Sequence, residues 1–186
     1  MSEIGRRDWF AAALLWLATM TVFGASAGSL GFYYDDSGWI ADLATASLPT
    51  LWSVMVNYIP GRHLFPLWHY LFFQAAGGDP ASHLTLLHMV QSALDGLIVV
   101  CFFFLLRLLR LPTHAAGIAA GLFSFWPVHG ETHFFFTAVP GNLVSTLFVI
   151  LFSMTSIVLT SGGKTGWRLR VFDAAAFVAA LFTYDQ

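Results

Sequence analysis

Apolar residues run along this chain in long blocks, broken by short clusters of charge, Gly and Pro. The first block, 9–30, follows Arg6 and Arg7 and is long enough to cross a bilayer as a helix rising about 1.5 Å per residue. The stretch 31–82 is too polar to span, since it carries Asp35, Asp36, Asp42, Asn57, Arg62 and Asp79 among several Gly and Pro. Inside it, Trp39, Ile40, Leu43 and Leu48, and then the aromatic-rich run 64–73, read as short helices lying in the membrane interface. A second span covers 84–106 and stops at Arg107 and Arg110, with Pro112 marking the turn. The third covers 114–128, the fourth 143–160 and the fifth 171–184, with a Gly- and Arg-containing loop, 161–170, between the last two. The predicted fold class is all-α: a polytopic α-helical membrane protein of about five transmembrane helices, with interfacial helices in its first external loop.

The charges then set an orientation. Arg6 and Arg7, Arg107 and Arg110, and Lys164, Arg168 and Arg170 fall on alternate loops, which assigns those loops and the N-terminus to the cytoplasmic side. The segments 31–82 and 129–140 and the end at Tyr184 then share the extracytoplasmic face, where Arg62 is the lone Lys or Arg. The expected location is the plasma (inner) membrane. Composition agrees: 58% of the residues are hydrophobic and 10% charged, and the mean hydropathy is +0.73, outside the usual soluble range. A net charge of -2 with no basic stripe excludes a nucleic-acid partner. Cys101, the single cysteine, cannot form an internal disulfide and reads as packing. Arg6 and Arg7 ahead of an apolar run, with Ala25-Ser26-Ala27 behind it, imitate a secretory signal, but the run is longer than a signal core and is expected to remain as a span.

Candidate chemistry gathers on the external side. Tyr33-Tyr34-Asp35-Asp36-Ser37-Gly38 puts adjacent carboxylates where the first span leaves the membrane. A hydrated loop that only ends the helix explains them; so does a general base acting on an acceptor hydroxyl, its neighbour raising its pKa or holding a metal. His129, Glu131 and His133 offer nitrogen and oxygen ligands within a few residues, so a divalent metal ion is the candidate cofactor and a polar substrate-binding loop the competing role. Arg62 beside His63 could hold a lipid phosphate through charge-assisted bonds, or snorkel to headgroups. In the second span His88, Gln91 and Asp95 recur at helical spacing and share a face. A charge at such depth costs roughly 2.5–3.5 kcal/mol, so Asp95 is either functional or neutralised by protonation or a neighbouring helix.

The order of these features resembles the GT-C superfamily of membrane glycosyltransferases, above all its protein O-mannosyltransferase-like and aminoarabinose-transferase-like branches. The likeness lies in one span leading to Asp35-Asp36, then Arg62-His63-Leu64-Phe65-Pro66-Leu67 before an interfacial helix. A span with Leu87-His88-Met89 follows, and then Trp126-Pro127-Val128-His129-Gly130-Glu131. The resemblance implies a sugar moved from a polyprenyl-phosphate donor to a glycan, lipid or protein acceptor at the external face of the bilayer. It implies Asp35 or Asp36 as catalytic base, the first of the pair by the family's pattern, with Glu131 supporting the site or its metal. Arg62, His63 and His88 would contact substrate. Three residues separate Arg62 from Pro66, where the family joins the basic residue to the proline. Family members have more spans, so the chain reads as an N-terminal fragment. Two other functions fit the bare residues: a transporter with an intramembrane His88/Asp95 relay, and a non-catalytic membrane assembly protein.

Overall fold

The computed structural model describes residues 4–25, 27–29, 47, 49–50, 52–53, 64, 67–68, 70–71, 74, 83–125, 142–161 and 166–183. Among them the chain is all-helical, organised by five helices: α1 (Arg6–Gly24), α2 (Leu84–Leu108), α3 (Thr113–Ser124), α4 (Val144–Thr160) and α5 (Trp167–Thr183). Each falls on an expected apolar block, with ends moved by local chemistry. α1 begins at Arg6 because Asp8, in its first turn, takes the Gly5 N–H at 2.8 Å and closes the helix start. It ends at Gly24, short of residue 30, where Ala27 N–H donates to the Gly24 carbonyl in a tight turn. α3 ends at Ser124, short of 128, three residues before Pro127 biases the chain away from helix. α5 starts at Trp167, ahead of 171, because Arg is a good helix former and Arg168 lies against the Trp167 ring.

α1 and α3 run antiparallel to α2, α4 runs alongside α2, and α5 returns antiparallel to α4. The first core joins Ala12 of α1, Val99, Phe103 and Phe104 of α2, and Ala116 and Ala120 of α3. The three alanines let the backbones approach closely around the fully buried Phe103 ring. Trp16 of α1 lies flat on α2 and donates its indole N–H to the Ala93 carbonyl at 3.3 Å. Gly96 makes that possible, since a Cβ there would stand 2.6 Å from Trp16 Cδ1. A second core joins Ile98 of α2 to Leu143 and Ile150, with Cys101 packed beside it. Between α4 and α5, Asp173 Oδ1 accepts the Thr155 and Ser156 hydroxyls at 2.6 and 2.8 Å.

Polar side chains share the interior with the apolar cores, and large apolar side chains cover much of the outside. Asp8, Thr19, His88, Gln91, Ser92, Asp95, Arg107 and Ser124 are buried, while Trp9, Phe10, Leu14, Leu97, Ile118, Leu122, Val171 and Phe177 face outward. Among the described residues α2, of 25 residues, is long and apolar enough to cross a bilayer; α4 is apolar but has 17.

One ion pair ties α1, α2 and α3 together at one end of the bundle. Arg107 Nε donates to Asp8 Oδ1 at 2.6 Å and its Nη2 lies 3.4 Å from Oδ2. The Thr113 hydroxyl donates to Asp8 Oδ1 at 2.7 Å, and Arg107 Nη1 donates to the Leu111 carbonyl. Burial pushes the Asp8 carboxyl pKa up, but the Gly5 N–H, the Thr113 hydroxyl and the Arg107 guanidinium outweigh it and hold the pKa below the usual carboxylate value. Because the folded pKa is depressed, the stabilisation is present above the unfolded value of about 3.9 and is lost as pH falls through the folded one. Thermal unfolding in detergent should show Asp8→Ala and Arg107→Ala each less stable by about 3–5 kcal/mol at neutral pH, with the Asp8→Ala deficit shrinking below about pH 4. Equal stability of wild type and either variant at neutral pH would remove the pair from its structural role.

Candidate functional site

Asp35, Asp36, Arg62, His63, His129, Glu131 and His133 lie outside the described residues. The described residues define the scaffold from which their segments leave. The last turns of α1 and α3 meet: Phe23 stacks on Phe125 with ring centroids 5.9 Å apart, and the buried Thr19 and Ser124 hydroxyls are 3.1 Å from each other. The first turns of α2 reach the same place, where Met89 Sδ lies 3.4 Å from the position a Cβ on Gly24 would take. α1 ends, α2 begins and α3 ends together at the end of the bundle opposite Asp8, here called the far end, while the chain returns toward α4 at Asn142, level with the middle of α2. Leu64, directly after Arg62-His63, is held at the C-terminal end of α5, beside α4. Its N–H donates to the Phe182 carbonyl at 2.7 Å, and Trp68 donates its indole N–H to the Thr183 hydroxyl at 3.1 Å while packing on Phe148.

Below the far end, the inward face of α2 carries His88, Gln91, Ser92 and Asp95, each 5% exposed or less. The expected common face of His88, Gln91 and Asp95 is present, and Ser92 joins it at the i+4 position from His88. His88 Nδ1 lies 3.3 Å from Gln91 Oε1, and the Ser92 hydroxyl donates to the His88 carbonyl at 2.9 Å. His88 Nε2 is buried and has no hydrogen-bond partner among the described residues.

Asp95 lines a cavity of about 80 Å³ together with Ser124, Asn142 and Thr146, closed by Ile98, Phe123 and Leu143. The room exists because α3 stops at Ser124 and the helical turn leading into α4 begins at Asn142, level with the middle of α2. A carboxyl, two hydroxyls and an amide around such a volume can hold water or a small polar group and pass a proton. Ser124, Asn142 and Thr146 escaped the sequence reading. Ser124 sits in an otherwise aromatic run, and Asn142 follows Pro140-Gly141 and reads as loop. The candidate metal ligands all lie outside the described residues, and among the described residues no three His, Cys, Asp or Glu side chains gather.

The Thr19–Ser124 bond anchors the wall of this cavity to α1. In a Thr19→Val/Ser124→Ala double-mutant cycle read by thermal unfolding, the two hydroxyls should couple by about 0.5–1.5 kcal/mol. Additive single effects would show that the contact does not hold the wall. No family model, curated protein or solved structure matches the chain.

Proposed function

We propose that the chain is the membrane module of a polytopic glycosyltransferase that takes its sugar from a polyprenyl-phosphate donor at the extracytoplasmic face. The outward apolar surface supports the membrane part of this reading. Outward Trp9, Phe10, Leu14, Ile118, Leu122, Val171 and Phe177 have lipid as their natural solvent, and inward hydroxyls, carboxyls and imidazole find partners or a cavity. At about 1.5 Å per residue, the 19 residues of α1 and the 17 of α4 and α5 approach the thickness of the hydrocarbon core. Arg6, Arg107, Arg110, Arg168 and Arg170 belong to helix ends or turns on the Asp8 side, which supports a cytoplasmic setting for that side.

The observation that carries the catalytic part is the common far end. The helix ends that flank the segment bearing the acidic pair and Arg62-His63 meet there with the helix end that leads into the His129-Glu131-His133 segment, next to the polar face of α2. In the mechanism this arrangement favours, the carboxylate of Asp35 or Asp36 takes the proton of an acceptor hydroxyl. The acceptor oxygen forms a bond to the anomeric carbon as the bond from that carbon to the phosphate oxygen breaks. The lipid phosphate leaves with the electron pair, its charge met by Arg62, and the anomeric centre inverts. The outward apolar surface would receive the polyprenyl chain.

The buried His88 and the Asp95 cavity favour a second reading, a carrier with an intramembrane proton relay. One set of measurements separates the two: sugar release from polyprenyl-phosphate sugars by the full-length protein, and proton-coupled uptake in proteoliposomes. Release should be present in wild type and fall at least 100-fold in Asp35→Asn/Asp36→Asn, with circular dichroism unchanged. Release that survives in the double variant removes the transferase reading. Uptake lost in Asp95→Asn alone establishes the carrier.

A further inference from the structure

At the Asp8 end, a groove of about 780 Å³ opens between α1 and α3, lined by Arg7, Ala11, Arg107, Thr113, His114, Pro112, Gly117 and Ile118. Its chemistry changes over one helical turn. Arg7 and His114 stand at the end, while Ala11 lies four residues further along the same face of α1, and Gly117 and Ile118 three and four further along α3. Arg107 contributes little free charge, because its guanidinium is committed to Asp8 and to the Leu111 carbonyl. The same pairing consumes Asp8, the nearest carboxylate in sequence to Arg7. Arg7 and His114 are exposed, and among the described residues no carboxylate pairs with them. Nothing stands within 4 Å of the position a Cβ on Gly117 would take, so the floor beyond Arg7 and His114 is open. Ile118, on the rim, is 64% exposed.

We propose that this groove is a binding site for one anionic glycerophospholipid of the cytoplasmic leaflet. The phosphate would lie between Arg7 and His114, and the upper acyl chain would follow Ala11, Gly117 and Ile118 toward the bilayer centre. Charge complementarity selects this occupant: the Arg7 guanidinium, with the His114 imidazole beside it as a hydrogen-bond donor, meets the leaflet that carries anionic lipid, and the wall beyond them, formed by Ala11, Gly117 and Ile118, is apolar. A zwitterionic lipid would match the wall but bring an ammonium group to the guanidinium. The groove lies at the opposite end of the bundle from Gly24 and Leu84, the helix ends that flank the segment bearing the acidic pair, so it is distinct from the proposed donor site. It rests on the membrane orientation proposed above and is independent of sugar transfer.

Native mass spectrometry of the full-length protein in nonionic detergent, titrated with phosphatidylglycerol or phosphatidylcholine, tests the proposal. Wild type should retain one phosphatidylglycerol with at least tenfold preference over phosphatidylcholine. Arg7→Gln/His114→Gln, at two exposed positions, should abolish the preference with helicity unchanged. Gly117→Leu, which projects into open space, should weaken phosphatidylglycerol binding at least tenfold. Equal retention of the two lipids by wild type, a preference that survives Arg7→Gln/His114→Gln, or equal protection by sn-glycerol 3-phosphate alone would each overturn it. A protein without sugar transfer that keeps the preference would refute the transferase and leave the groove standing.

Discussion

The bundle depends on how two buried opposite charges are satisfied. Arg107 closes a long apolar helix and Asp8 opens another, and each would be costly alone in a poorly hydrated interior. Placed together, they leave few valences unused. The two Asp8 oxygens receive the Gly5 amide, the Thr113 hydroxyl and two guanidinium nitrogens, and the remaining Arg107 nitrogen reaches the Leu111 carbonyl. The last of these bonds shapes the turn between α2 and α3. With only residues 109–112 between the helices, Arg110 takes φ 69, a left-handed conformation that costs a non-glycine residue about 1–2 kcal/mol. The ion-pair network offsets that strain. Helix start, helix end and interhelical turn are thus one electrostatic unit.

Away from this knot, association relies on close approach and hydrogen bonding between helices. Ala12, Ala116 and Ala120 narrow the gap around Phe103, and Gly96 admits the Trp16 ring. Hydroxyls join the helices elsewhere: Thr19 to Ser124, and Thr155 and Ser156 to Asp173. Gly96 and Gly117 show the two outcomes of a missing side chain: a Trp ring fills the space at Gly96, while nothing stands within 4 Å of a Cβ position at Gly117 and the groove stays open.

Much of this architecture is legible from periodicity. The apolar blocks locate all five helices, and the His88–Gln91–Asp95 spacing identifies the inward face of α2, because both are properties of a single segment. What spacing cannot reveal is which neighbour a face meets. Asp8 and Arg107 are 99 residues apart, and in the sequence Arg107 reads as a topology signal while Asp8 attracts no role. Gly96 looks like a flaw in a helix until Trp16 lies on it. Asn142 and Thr146 become site residues through the early end of α3, a boundary set by local chain chemistry that hydropathy overruns.

The shortness of α3 also explains where α2 can carry a carboxyl. Had α3 continued alongside α2, Asp95 would face a packed apolar helix and bear its desolvation without relief. Instead α3 ends at Ser124 and the chain re-enters at Asn142, so the neighbouring helix termini bring hydroxyl and amide groups to the level of Asp95 and leave space between them. A packing residue at that level would favour closure of the space, since an unfilled cavity forfeits dispersion contacts along its whole lining. A polar carboxyl and an adjoining void are each unfavourable alone and become compatible only when water or a polar group occupies the void. The buried polar face of α2 continues from there through Ser92, Gln91 and His88, with His88 Nδ1 and Gln91 Oε1 in hydrogen-bond reach and the Ser92 hydroxyl on the His88 carbonyl.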